Sequence, residues 1–309
     1  MKTSLPLLTL QGVINCKNVV KNVLDVKSTL LLQTRRIKFI LVMLILLTGI
    51  GNQAEAQLGN LCFSATTGTY TYLGGGATAV NGIEQDDNNV INIPIGFTFN
   101  YLGTNFTTGS VSSNGWFSFA NTDPSNANSN SNNIAVTSPS TLLRTLFPLW
   151  DDLSGTSGTA AYQTTGSVGS RVFTMEWRNW RWNFNSSAAI SFQVKLYETS
   201  NIIEFRYRQE AGAVNTSGSG YSVGASIGLN DATGGSTHFL SLNNSGAGPT
   251  ASTTVATNNI TTKPATNQIY TFTPQVAPTI SLSSGAGTNV QTFCITNALS
   301  TITYSIGGG

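Results

Sequence analysis

This sequence predicts an all-β fold, an antiparallel β-sandwich of jelly-roll type. Three observations lead there. After Gln57 no stretch carries apolar residues at helical spacing; apolar and polar residues alternate instead. Charge is low, with 15 Lys/Arg and 13 Asp/Glu in 309 residues, while glycine reaches 31. Strands of Thr, Val, Ile and aromatic residues joined by Gly/Asn/Ser turns give that balance. The alternating runs are also punctuated at short intervals by turn-formers, Asn114-Gly115 among them.

The chain opens with a targeting segment. Arg35, Arg36 and Lys38 precede an apolar run from Phe39 to Ile50, and Ala54-Glu55-Ala56 follows. Basic n-region, apolar h-region and small-residue cleavage pattern together make a secretory signal peptide with a cut expected before Gln57. The run is shorter than the roughly 20 residues a bilayer-spanning helix needs. No later stretch is apolar enough to span, so no membrane span is expected after the cut. The 34 residues before Arg35 are long for an n-region. A start called too far upstream and an extended n-region both account for them, and residues 1–56, Cys16 included, are set aside from the fold.

Residues 1–56 hold seven of the Lys/Arg and two of the Asp/Glu, leaving eight basic and eleven acidic residues and a net charge of −3. A weakly acidic chain with scattered arginines carries no footprint for nucleic acid. Cys62 and Cys294 remain after the cut, and nothing in their placement decides whether they pair.

The strands follow in order. Ile95, Phe97, Phe99 and Tyr101 alternate up to Gly103. Val111–Phe119 sets an Asn-Gly turn between apolar residues. Asn121–Ser140 reads as a polar loop and Leu146–Leu153 as an apolar run turning acidic. Phe173, Met175 and Trp177 share one face. Ile190–Arg208 is the clearest hairpin. With its turn at Thr199-Ser200, Leu196 opposes Ile203, Val194 opposes Phe205 and Phe192 opposes Tyr207. The other face sets Lys195 against Glu204. Ser222–Leu229, His238–Leu242 and Gln268–Thr273 complete the set. The sandwich is therefore expected over residues 57–274. Residues 275–309 read as a linker, Pro274–Pro278, and the start of a second β module too short to bury a core alone.

Several blocks carry a resemblance. Cys62–Tyr70 (CFSATTGTY), Ile93–Gly103 (IPIGFTFNYLG), Val111–Phe119 (VSSNGWFSF), Pro148–Leu153 (PLWDDL), Arg171–Asn183 (RVFTMEWRNWRWN) and Ile190–Arg208 resemble the N-terminal module of large secreted surface proteins of Bacteroidota. The same order of blocks is distantly similar to the nidogen-type extracellular domain. Residues 278–309 resemble the opening of a tandem immunoglobulin-like or PKD-like repeat. The resemblance implies a secreted, cell-surface, adhesive role in a multi-repeat protein, with type IX secretion as the export route. It implies no catalytic residues.

Candidate sites follow from residue types. Asp151-Asp152 and Asp86-Asp87 are paired carboxylates that could hold Ca²⁺, but neither has EF-hand or RTX spacing, and solvated turns with Asx hydrogen bonds are the plainer account. Glu176, Glu198 and Glu204 are strand-borne acids of the kind a glycosidase pairs across a cleft, but Glu204 opposes Lys195 and Glu198 falls at a turn. His238, the single histidine, makes no zinc cluster, and no nucleophile elbow accompanies it. Alternation from Trp177 places Arg178, Trp180 and Trp182 on the opposite, polar face. There they form either a stacking platform for a ligand or a second buried layer. The expectation is a non-enzymatic extracellular adhesion module with a protein or glycan partner. The alternative is a carbohydrate-binding module of a secreted enzyme whose catalytic part lies elsewhere.

Overall fold

The computed structural model of the chain describes residues 57–121, 132–136, 142–183, 186–214 and 224–275, together with two strands at 279–282 and 304–307. The signal-peptide segment, Cys294 and most of the Asn121–Ser140 loop lie outside them. A short 3-10 turn, Gln57–Asn60, leads into β1 (Leu61–Thr67), β2 (Thr78–Ala79), β3 (Asn89–Tyr101), β4 (Thr104–Ser112) and β5 (Phe117–Ser118). Next come β6 (Thr145–Trp150), β7 (Leu153–Ser154), β8 (Thr159–Thr165), β9 (Val172–Trp182), β10 (Ala188–Tyr197) and β11 (Ile203–Gln209). The rest are β12 (Ser226–Asn230), β13 (Phe239–Leu242), β14 (Ala251–Ser252), β15 (Gln268–Pro274), β16 (Thr279–Leu282) and β17 (Tyr304–Gly307).

The first fifteen strands form two antiparallel sheets. One has eight strands, in the order β1-β15-β11-β10-β9-β8-β2 with β7 beside β9; the other has seven, β14-β13-β12-β6-β5-β4-β3. Strands β16 and β17 form a separate two-stranded antiparallel pair. Among the described residues no helix is long and apolar enough to cross a membrane.

Alternation builds the core. Ile93, Ile95, Phe97, Phe99 and Tyr101 of β3 all turn inward, each at most 5 % exposed. They meet Phe173, Met175 and Trp177 of β9 and Phe192, Val194 and Leu196 of β10 in one apolar cluster. The β3–β4 turn is a two-residue connection in which Leu102 and Gly103 both have positive φ, 49° and 84°. That geometry matches the twist of a hairpin.

The β10–β11 hairpin has the expected register, with Leu196 opposite Ile203, Val194 opposite Phe205, Phe192 opposite Tyr207 and Lys195 opposite Glu204. Its charge pairing differs from the expectation. Glu204 bonds Arg206 on its own strand at 2.8 Å and accepts the Tyr197 hydroxyl at 2.7 Å. A residue two positions along a strand shares its face, so Arg206 competes with Lys195 for one carboxylate and its guanidinium fork wins.

Candidate functional site

The three tryptophans of β9 are where alternation fails. Trp180 and Trp182 have no exposed surface, and both belong to the same core cluster as Trp177. The cause is a β-bulge. Trp177 pairs Phe192 and Trp180 pairs Ile190, so three steps on β9 run against two on β10. Asn179 absorbs the extra residue with a φ of 58°. A bulge shifts every later side chain to the other face. The expected platform of Arg178, Trp180 and Trp182 is therefore corrected: both indoles are core, and Arg178 stays outside, over the Tyr72 ring at 4.0 Å.

The buried indoles have a second role, because each N–H must find an acceptor when buried. Trp177 Nε1 donates to the Ser112 carbonyl at 2.9 Å and Trp180 Nε1 to the Ser113 carbonyl at 2.7 Å. Trp182 Nε1 donates to Asp151 Oδ2 at 2.7 Å. These bonds hold two turns at one end of the sandwich. The first is Ser112–Gly115. Gly115 has a φ of 76°, and a Cβ there would strike the Leu149 carbonyl oxygen, so only glycine closes this turn. The second is Asp151–Asp152, where Asp151 Oδ1 accepts the Asp152 amide at 2.9 Å.

From the first turn, Asn114 reaches both acidic segments. Its Nδ2 donates to Asp87 Oδ1 at 3.0 Å, and its Oδ1 accepts the Leu153 amide at 3.0 Å. Ser113 fastens Asn88 through the Asn88 amide on its Oγ and its own amide on the Asn88 carbonyl. The result joins acids far apart in the chain: carboxylate oxygens of Asp86, Asp87 and Asp152 all lie within 4.8 Å of one another. Asp86 and Asp87 are exposed and Asp152 is half-buried. Asp151 is not part of the cluster, because both of its oxygens are used locally.

The electrostatics follow the geometry. Burial first, then the charges of Asp86, Asp87 and Asp151, push the Asp152 carboxyl up to about 6. Asp86 is raised by burial and by Asp87. Asp151 is raised by burial, against the opposing bonds from Trp182 and the Asp152 amide. Three oxygens at these separations suit a hard divalent cation at 2.3–2.6 Å, a typical Ca²⁺–oxygen distance, with water and carbonyls completing six to eight ligands. Asn114 and the SSNG turn were legible only as a hairpin signal. Nothing in the spacing tied them to Asp87.

The other acids and His238 sit in local networks. Glu176, 3 % exposed, accepts Gln193 Nε2 at 2.6 Å, the Tyr70 hydroxyl at 3.3 Å and the Leu73 amide at 3.2 Å. Burial raises its carboxyl despite these bonds. Glu198 takes both nitrogens of the Arg171 fork, at 2.9 and 2.6 Å, which holds it down to about 2. His238 Nδ1 lies 2.7 Å from Asp231 Oδ2. Asp231 also accepts the amides of Thr233 and Gly234 and so orders its own loop. Cys62 is exposed and unpaired among the described residues.

Neither a curated protein nor a solved structure matches the chain. One family model does, that of the NIDO-related domain, over residues 60–274. That span runs from the entry to β1 to the last residue of β15, the whole of the two-sheet sandwich. The likeness to nidogen-type domains expected from the IGF, SSNG and PLWDDL blocks is thus found as a family match. Along the chain those blocks are β3, the SSNG turn and the Asp151–Asp152 turn, and the last two meet at the acidic cluster. The chain belongs to the NIDO-related family, an extracellular type of module.

Proposed function

We propose that the chain is a non-enzymatic adhesion module, exported behind the signal peptide and part of a larger surface protein. The observation that carries this reading is the NIDO-related match across the entire sandwich. The use of the strand-borne acids agrees with it. Glu176 ties down a crossing segment, Glu198 clamps Arg171, and Glu204 pairs with Arg206. The Asp86–Asp87–Asp152 cluster serves this module as a divalent-cation seat that stiffens the loops at one end of the sandwich.

Beads coated with the purified exported chain test this reading on immobilised extracellular matrix, with Ca²⁺ and with EDTA. Adhesion above that of uncoated beads is expected, and it should weaken in EDTA. Beads that bind no more than uncoated ones would remove the adhesive reading. Turnover in a glycosidase screen that disappears in Glu176→Gln would replace it with an enzymatic one. The carbohydrate-binding alternative predicts selective hits on an array of neutral glycans instead.

A further inference from the structure

The charges of the module are segregated. Of the eight Lys/Arg in residues 57–309, five sit on the outer face of three adjacent strands: Arg178 and Arg181 on β9, Lys195 on β10, Arg206 and Arg208 on β11. Alternation from the buried Trp177, Trp180, Val194, Phe205 and Tyr207 sends them there. Lys263 joins the same end, donating to the carbonyls of Glu210 and Gly212 at 2.9 and 2.8 Å. Three carboxylates share this face. Glu176 is buried under the crossing segment, Glu204 is held by Arg206, and Glu210 accepts the hydroxyls of Tyr72 and Ser191, both at 2.7 Å. Six cations against three acids leave the face positive, on a chain whose net charge after residue 56 is negative.

Two of these cations are held in place. The guanidinium of Arg178 lies 4.0 Å from the centroid of the Tyr72 ring and that of Arg208 lies 5.0 Å from it. Glu210 anchors the phenol and lies 3.5 Å from Arg208. Stacking on one fixed ring restrains both side chains before any partner arrives, which lowers the ordering cost of binding. Arg208 still shows 45 % of its side chain to solvent.

We propose that this face binds an acidic polysaccharide. The inference rests on the adhesive reading above and names the class of partner. A guanidinium fork matches a carboxylate or sulfate in the bidentate manner. Among the described residues this face carries no large exposed hydrophobic side chain for a protein partner to cover. The large exposed hydrophobic residues Ile91, Val168 and Val255 lie on other segments. A partner that pairs charge with charge beside the crossing segment, without apolar groups to bury, is an extended polyanionic glycan.

The test uses the full exported chain and alginate, a polyuronate, with neutral dextran and poly-glutamate as controls. Binding to alginate, no binding to dextran and a steep loss of affinity from 50 to 300 mM salt are expected. An Arg178→Ala, Arg208→Ala double variant should bind at least tenfold more weakly, while Arg144→Ala binds as the parent does. Should the double variant fail to fold, Arg178→Gln keeps a planar group over Tyr72 and should lose about threefold. No alginate binding at 50 mM salt, equal loss in Arg144→Ala, or equally tight binding of poly-glutamate would each overturn the proposal. Because alginate reads this face alone, beads that adhere to matrix without binding alginate refute this inference and leave the adhesion module standing.

Discussion

Asn179 shows how much one backbone conformation carries. Its φ of 58° creates the bulge that turns Trp180 and Trp182 into the core, and asparagine tolerates that region better than most residues. Asn179→Gly should change stability by no more than a few tenths of a kcal/mol, while Asn179→Val should cost about 1–2 kcal/mol; urea unfolding measures both. Asp152 carries a pH dependence of definite sign. Its folded value near 6 lies above the unfolded value of about 3.9. The fold therefore favours the protonated form. The stability this contributes is fully present below about pH 4 and is lost as pH rises through 6. In EDTA the melting temperature of the parent, relative to Asp152→Asn, should fall between pH 4 and pH 7. A difference flat across that range would mean that the carboxylates are farther apart in solution.

At the scale of elements, the β10–β11 hairpin makes opposite demands on neighbouring residues. Leu196 has no exposed surface, so Leu196→Asp would bury an unpaired charge and should cost about 3–5 kcal/mol. Lys195 faces outward, its ammonium already disfavoured by burial and by Arg206. Lys195→Ala should cost well under about 1 kcal/mol. The segment from Gly68 to Ala77 crosses the outer face of the larger sheet and is tied by polar contacts. Tyr70 and Leu73 bond Glu176, and Gln193 Nε2 donates to the Thr71 carbonyl at 2.8 Å. Glu176→Gln retains an acceptor and should leave this segment as protease-resistant as in the parent. Glu176→Leu removes both acceptors and should speed cleavage near Tyr72, read by limited proteolysis at neutral pH.

For the whole molecule, the acidic cluster sets the expected response to calcium. A cation that binds only the native state at a hundred times its Kd adds about 2.7 kcal/mol. That is roughly 5–10 °C in melting temperature for a domain of this size. Asp87→Asn together with Asp152→Asn should abolish the rise, and Asp151→Asn should reduce it less, because Asp151 bonds Trp182 rather than facing the cluster. A parent whose melting is unmoved by millimolar Ca²⁺ and by EDTA would show that the cluster takes no cation.

Local rules were enough for the strands. Alternation with period two placed Ile95, Phe97, Phe99 and Tyr101 inside, and the matching of apolar partners fixed the hairpin register, because a one-residue slip would have exposed every one of them. The order of the IGF, SSNG and PLWDDL blocks was also readable as nidogen-like, and the family match follows it. What the sequence could not decide was anything set by a single irregular residue or by contacts between distant segments. A bulge has no periodicity of its own, so strict alternation sent Trp180 and Trp182 the wrong way. Two acidic pairs some 65 residues apart looked like separate candidates; Asn114, standing between them in sequence and in space, brings Asp87 toward Asp152 and leaves Asp151 to the core. Pairing along one strand is dictated by the chain itself, whereas the meeting of loops at the end of a sandwich is dictated by how two sheets stack.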